Sequence, residues 1–162
     1  MEMIPSFQMG LTDEERSHLL DGIYDPNNNI GPRKNFPGDT FTQKNMYNFN
    51  QHFLDFSHRL IDMVSAVFGG DFGIGHMWGI VYKKGDEVYK HNHVNYSHAF
   101  VYYVKCCDKC SSIVFPNLEE KIAPELDKVL AWQNNSSTHH YVESQQCEHH
   151  RVVLSGHMMR LQ

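Results

Sequence analysis

The spacing of apolar positions changes part-way along this chain. Phe49, Phe53, Phe56, Leu60, Val64 and Val67 recur at steps of three and four, which places them on one face of a helix. The pattern predicts a helix over residues 45–68, ended by Gly69-Gly70. Further upstream, Thr12-Asp13-Glu14-Glu15 has the form of a capping box, with the glutamate three residues after the threonine. Leu19, Leu20 and Ile23 follow on one side, so a first helix is predicted over 12–24. Residues 25–44, rich in Pro, Gly and Asn, read as a loop long enough to act as a lid.

Beyond Gly70 the runs become short, β-branched or aromatic, with turns between them. Met77 to Tyr82, Ala99 to Val104, Ser112 to Phe115, Val129 to Trp132, His140 to Glu143 and Val152 to Ser155 are the predicted strands. Their regular spacing favours a sandwich or barrel over a parallel sheet with crossover helices. The expected protein is mainly β, with two N-terminal helices packed outside an all-β core. The chain contains no internal repeat. One domain is expected over 1–162, made of a helical part, 1–70, and a β core, 71–162. The break at Gly69-Gly70 then marks a change of layer rather than a domain boundary.

Composition narrows the function classes. The 162 residues are 41% hydrophobic and 20% charged, with a formal net charge of −5 at pH 7. That balance fits a globular protein with a core of its own and disfavours nucleic acid or an anionic membrane as partner, since no basic stripe is there to hold either. The first residues lack a basic region followed by an apolar one, and no apolar run is long enough to cross a bilayer. A cytoplasmic location is the expectation.

Histidine is the outlier, at twelve residues. His91 and His93 are separated by one residue, so on an extended segment both imidazoles point to one side and can share an ion. A third ligand must approach from another strand. His140, opening an apolar run, is the best-placed candidate, with His139 as its competitor. Imidazole suits Fe, Zn, Cu or Ni, and zinc accepts three histidines plus water. Asp86 or Glu87 could instead supply a carboxylate from the upstream turn. Taken singly, each histidine reads as a solvent-facing residue at a strand end; the joint pattern, with Arg151 following at its offset, favours a metal site.

The ordered set carries a family resemblance. Trp78-Gly79-Ile80-Val81-Tyr82-Lys83-Lys84-Gly85-Asp86, then His91-Asn92-His93, then Ser97-His98-Ala99-Phe100-Val101-Tyr102-Tyr103-Val104, resembles the Fe(II)/2-oxoglutarate-dependent oxygenases. The likeness is to small prolyl-4-hydroxylase-like members of phage or bacterial type. Ser112-Ile113-Val114-Phe115-Pro116 is similar to their next strand, and His140-Tyr141-Val142 followed by Arg151-Val152-Val153-Leu154-Ser155-Gly156 to their distal-histidine and arginine strands. It covers about residues 76–159.

The resemblance implies a double-stranded β-helix (a jelly roll, cupin-like) with a mononuclear iron at one mouth. It implies His91 and His140 as metal ligands, with His93 at the position where the family carries Asp or Glu. Arg151 would hold the distal carboxylate of the co-substrate 2-oxoglutarate through a bidentate, charge-assisted pair. Tyr103 matches a tyrosine that helps hold that carboxylate, and Tyr82 one that lies over the co-substrate. His157 stands where many relatives have asparagine. The implied reaction consumes dioxygen and 2-oxoglutarate and hydroxylates a C–H bond. Its substrate is unread, with peptidyl proline, a free amino acid, another small molecule and a nucleobase all fitting, in the cytoplasm of a cell or of a phage-infected host. Two alternatives stand beside it: a cupin-like three-histidine metalloprotein without 2-oxoglutarate, which has no need of Arg151, and a non-enzymatic binding module on the same barrel, kept open by His93.

Four cysteines remain: Cys106, Cys107, Cys110 and Cys147. Cys107-x-x-Cys110 is half of a zinc-like spacing, and Cys147 with His149 can complete it. In the implied topology the loops 105–111 and 143–150 trail at one end of the barrel, away from the metal mouth. A structural zinc site, free thiols in turns, and a disulfide of Cys106 or Cys107 with Cys147 are the three readings; a cytosolic setting makes structural disulfides the less favoured.

Overall fold

The computed structural model describes residues 3–31, 40–91 and 95–161. In chain order the elements are β1 (Ser6–Gln8), α1 (Asp13–Tyr24), β2 (Thr40–Phe41), α2 (Gln51–Phe68), β3 (Asp71–Tyr82), β4 (Val88–His91), β5 (His98–Lys105), β6 (Ile113–Phe115), β7 (Glu120–Ile122), β8 (Lys128–Gln133), β9 (His140–Val142) and β10 (Arg151–Leu161). They build a six-stranded sheet, ordered β1-β8-β5-β10-β3-β2, and a four-stranded sheet, ordered β4-β9-β6-β7. Every strand pairing within them is antiparallel.

The capping box forms as the sequence implies. Thr12 Oγ1 accepts from the Glu15 amide at 3.1 Å, and the Glu15 carboxylate accepts from the Thr12 amide at 2.9 Å. The second helix starts later than the apolar spacing predicts, at Gln51 rather than 45. Asn50 provides the reason: its side chain accepts from the Phe53 amide and caps the helix there, while Met46–Asn48 form a separate 3-10 turn. Phe49 therefore lies outside the helix and, like Val67, is exposed, so the buried stripe is Phe53, Phe56, Leu60 and Val64. Gly69, at φ +75°, ends α2 in a conformation that suits glycine.

The segment before Gly70 is not purely helical, because β1 and β2 extend the edges of the larger sheet. The strands β3 and β10 run well past the predicted bounds, since the glycines at 73, 75 and 156 hid their extended character. The middle of the lid expected over 25–44, residues 32–39, lies outside the described residues; the parts on either side pair with each other and with the β3 edge, through Ile30 N to Phe41 O and the β2–β3 ladder.

Strand alternation divides the apolar residues between two layers. One face of the larger sheet, including Met77, Val81, Tyr102, Val104, Val152 and Leu154, packs against Leu19 and Ile23 of α1 and the buried stripe of α2. The other face, including Trp78, Ile80, Tyr82, Val101, Tyr103 and Val153, meets Val88, Ile113, Phe115 and Val142 of the smaller sheet. The two helices thus cover the outside, as expected. Gly79 is what lets α1 seat: a Cβ there would come within 2.8 Å of the Ile23 side chain. No helix among the described residues is long and apolar enough to cross a membrane.

Candidate metal and co-substrate site

The two histidines the sequence sets far apart are brought side by side. β4 and β9 pair so that His91 stands opposite His140, and the two rings lie 4.3 Å apart between centroids. His91 Nδ1 lies 2.8 Å from the Tyr89 carbonyl, and His140 Nδ1 lies 2.9 Å from the Thr138 carbonyl. A carbonyl only accepts, so these contacts assign the proton to Nδ1 on both rings and the lone pair to Nε2. His140 is 3% exposed and packs against Trp132 and Phe115. Burial, and then the neighbouring His91, push its pKa down to about 3. Burial likewise lowers that of His91. Both rings are held neutral, the form a metal requires. His93 lies outside the described residues.

A pocket between the two sheets joins this pair to Arg151. It encloses about 430 Å³, part of it open to solvent, and its walls include His91, His140, Trp78, Tyr82, Val88 and Arg151. Arg151 opens β10 and its side chain is 1% exposed. The guanidinium carbon lies 4.4 Å from the centroid of the Tyr82 ring and 5.2 Å from that of Tyr103. Register explains the grouping: Arg151 pairs with Tyr82 on one side, and a shift between Val152 and Val153 brings Tyr103 beside it on the other. Arg151 Nε and Nη1 and the Tyr103 hydroxyl have no hydrogen-bond partner among the described residues. Burial raises the pKa of both tyrosines, so neither compensates the cation with a charge of its own.

A buried guanidinium of this kind is costly unless an anion meets it; stacking on two rings recovers only part of the loss. The residues present therefore fit a carboxylate ligand. Its neighbours at the same pocket, two neutral imidazoles presenting Nε2, fit a divalent metal.

Other sequence candidates fall elsewhere. The Asp86 carboxylate accepts from the Lys83 amide at 2.8 Å and closes the β3–β4 turn; neither it nor Glu87 lines the pocket. Of the 139/140 pair, it is His140 that lines it. His157 stacks on Tyr96 at 4.5 Å and abuts Trp78 and His76, with its pKa lowered to about 4 mainly by burial. Trp78, Phe115 and Trp132 were not assigned to the site from the sequence. Their signal was there: Trp78 and Ile80 alternate with Tyr82 on one face of β3.

No cysteine is among the residues that line that pocket. Cys107, Cys110 and Cys147 form one cluster, and Cys106 stands apart from it as a thiol whose pKa burial raises to about 11. All four are free, so the expected disulfide alternative does not form here. His149 is exposed and contacts the Cys107 thiol without joining the three-sulfur group.

Comparison with known proteins gives a one-sided result. No family model matches the chain, and no curated protein matches it by sequence. Solved structures do match. The viral collagen prolyl hydroxylase of Paramecium bursaria Chlorella virus-1, in complex with 2-oxoglutarate, is 12% identical with a TM-score of 0.72, over 99% of this chain and 97% of that one. A prolyl hydroxylase of Trichoplax adhaerens, in complex with a hypoxia-inducible-factor oxygen-degradation-domain peptide, is 11% identical with a TM-score of 0.73, over 97% and 83%. HygX of Streptomyces hygroscopicus, with nickel, 2-oxoglutarate and hygromycin B bound, is 10% identical with a TM-score of 0.70, over 96% and 82%. At such identities the likeness is one of fold, and it extends over nearly the whole chain.

Proposed function

We propose that this protein is an Fe(II)- and 2-oxoglutarate-dependent oxygenase, its two sheets forming the double-stranded β-helix of that class. The observation that carries the reading is Arg151: a buried guanidinium with two nitrogens that have no partner among the described residues, in the same pocket as His91 and His140. In this reading His91 and His140 hold the metal through Nε2, and His93 is the third ligand. Iron(II) held there supplies dioxygen activation coupled to oxidative decarboxylation of 2-oxoglutarate and hydroxylation of a C–H bond. The chain's own contribution is placement and charge. Arg151 receives the distal carboxylate as a bidentate partner, the Tyr103 hydroxyl donates to it, and Tyr82 packs over the guanidinium. Three neutral imidazoles would leave the metal its full +2, so a 2-oxoglutarate dianion shared between the metal and Arg151 offsets most of the positive charge of the pocket. The aromatic walls, Trp78 and Trp132, with Phe115 packed behind His140, keep bulk water away from these charges.

Prolyl residues in peptides are the first substrate class to test, because two of the similar structures are prolyl hydroxylases. HygX, solved with hygromycin B, makes small polar molecules the second.

The test of the assignment is 2-oxoglutarate and Fe(II) affinity in the wild type and in Arg151→Ala. Charge-assisted hydrogen bonds contribute about 1.5–3 kcal/mol each, so losing a bidentate pair predicts a fall of about 100-fold or more in 2-oxoglutarate affinity. Iron affinity should stay within about threefold, a shift well below one charge-assisted bond. Equal losses in both would overturn the assigned role.

A further inference from the structure

We propose that Cys107, Cys110 and Cys147 form a structural zinc site, with His149 as the fourth ligand, that clamps the loop after β5 to the loop before β10. Their sulfur atoms are mutually 3.5, 3.8 and 3.6 Å apart. Zinc–thiolate bonds are about 2.3 Å long, and a tetrahedron of that radius has edges of about 3.8 Å. A disulfide needs about 2.05 Å and joins only two of the three. The spacing is that of ligands around a common centre.

The surroundings point the same way. The Cys107 amide donates to Cys110 Sγ at 3.2 Å. Gln145 Nε2 donates to Cys147 Sγ at 2.9 Å and to Cys110 Sγ at 3.4 Å. Gln145 is completely buried, and its Oε1 accepts from the Ser111 amide at 2.9 Å and hydroxyl at 3.0 Å. The same amide nitrogen donates to the His149 carbonyl at 2.8 Å, so Gln145 ties both loops to the sulfur cluster, and such outer contacts are what orient metal ligands. His149 sits two residues after Cys147, exposed and in contact with the Cys107 thiol, which makes it the nearest nitrogen donor for a fourth ligand. Three thiolates and one imidazole select zinc over harder metals. On binding, three S–H bonds give way to three Zn–S bonds and the protons pass to solvent.

The placement gives the clamp a consequence. Cys107 lies two residues beyond the end of β5, and Cys147 lies four residues before Arg151. The ion would fix the strand ends that carry Tyr103 and Arg151. Its effect on 2-oxoglutarate rests on the function proposed above; the zinc content does not.

The test is metal content by native mass spectrometry and elemental analysis on the full chain, carried out in His140→Ala so that the imidazole site contributes nothing. One zinc per chain is expected there, and none in His140→Ala combined with Cys110→Ser. If that double variant fails to fold, the His140→Ala protein is titrated with a mercurial under a metallochromic indicator, and zinc should appear as the thiols are consumed. Cobalt(II) should give thiolate charge-transfer absorption in the near ultraviolet with the strong visible bands of tetrahedral geometry. His149→Ala should release zinc to a chelator faster than its parent. A zinc-free protein with unchanged melting temperature in chelator, or a disulfide within the three, would overturn the site. Zinc present with 2-oxoglutarate affinity unaffected by its removal would leave the site standing and overturn the clamp's link to Arg151.

Discussion

Tyr102 and Tyr103 are neighbours on β5, and they meet opposite fates. Tyr102 faces the helix-covered side, where its hydroxyl donates to the Asp127 carboxylate at 2.7 Å. Tyr103 faces the space between the sheets, where its hydroxyl has no partner among the described residues and stands beside Arg151, whose Nε and Nη1 likewise lack one. One hydroxyl is closed within its own layer; the other is held open. Folding alone favours the first arrangement, because a buried polar group left unpaired costs about 1–3 kcal/mol. A layer whose described residues hold the second is shaped to receive a further polar partner.

The largest expected effect comes from exchanging the open cation for an apolar side chain of similar length. Arg151→Met should abolish measurable 2-oxoglutarate binding, while stability stays level or rises by about 1–4 kcal/mol, as when buried charges are replaced by well-packed apolar groups. Denaturant melts read the stability and calorimetry the binding. A destabilised Arg151→Met would place the residue in the fold's own framework instead. On the closed side the pattern reverses. Leu60→Ala, in the fully buried stripe of α2, should cost about 2–5 kcal/mol of stability and, below its melting temperature, leave 2-oxoglutarate affinity within about twofold.

The tyrosine pair offers the finer contrast. Tyr102→Phe should lower stability by about 1–3 kcal/mol and spare binding. Tyr103→Phe should spare stability and weaken 2-oxoglutarate by about three- to tenfold. A swap of those outcomes would remove the distinction between the layers.

The smallest effect is a pH slope. His98, on the closed side, packs against Phe68 and Phe72, and burial, then Arg160, lower its pKa to about 4. In the unfolded chain a histidine titrates near 6.5. Between those values the unfolded chain binds a proton that the folded one refuses, so stability falls as pH drops from about 6.5 towards 4. His98→Leu should flatten part of that fall, read from melts at pH 7 and pH 5.

Much of this organisation was legible in the chain itself. The capping box, the two apolar layers and the grouping of Tyr82, Tyr103 and Arg151 follow from spacing, or from the resemblance, and the structure brings those three side chains together. The convergence of Cys107, Cys110 and Cys147 was readable from topology, because both loops trail at the same end. What escaped has physical causes. The start of α2 depended on which of several asparagines would cap it, and Asn50 prevailed. Short strands such as β1, β2 and β7 have too few residues to show a period and exist through their partners. In β4 the register shift between Val88 and His91 breaks the alternation that would have announced it.

The central claim, that one pocket holds a metal on His91 and His140 and a diacid on Arg151, is tested most directly without oxygen. Fe(II)-loaded protein is titrated with 2-oxoglutarate while the visible spectrum is followed for the weak metal-to-ligand charge-transfer band of the chelate. A saturable band is expected in the wild type, strongly weakened in Arg151→Ala and absent in His140→Ala. Iron bound with no band at any 2-oxoglutarate concentration would contradict it.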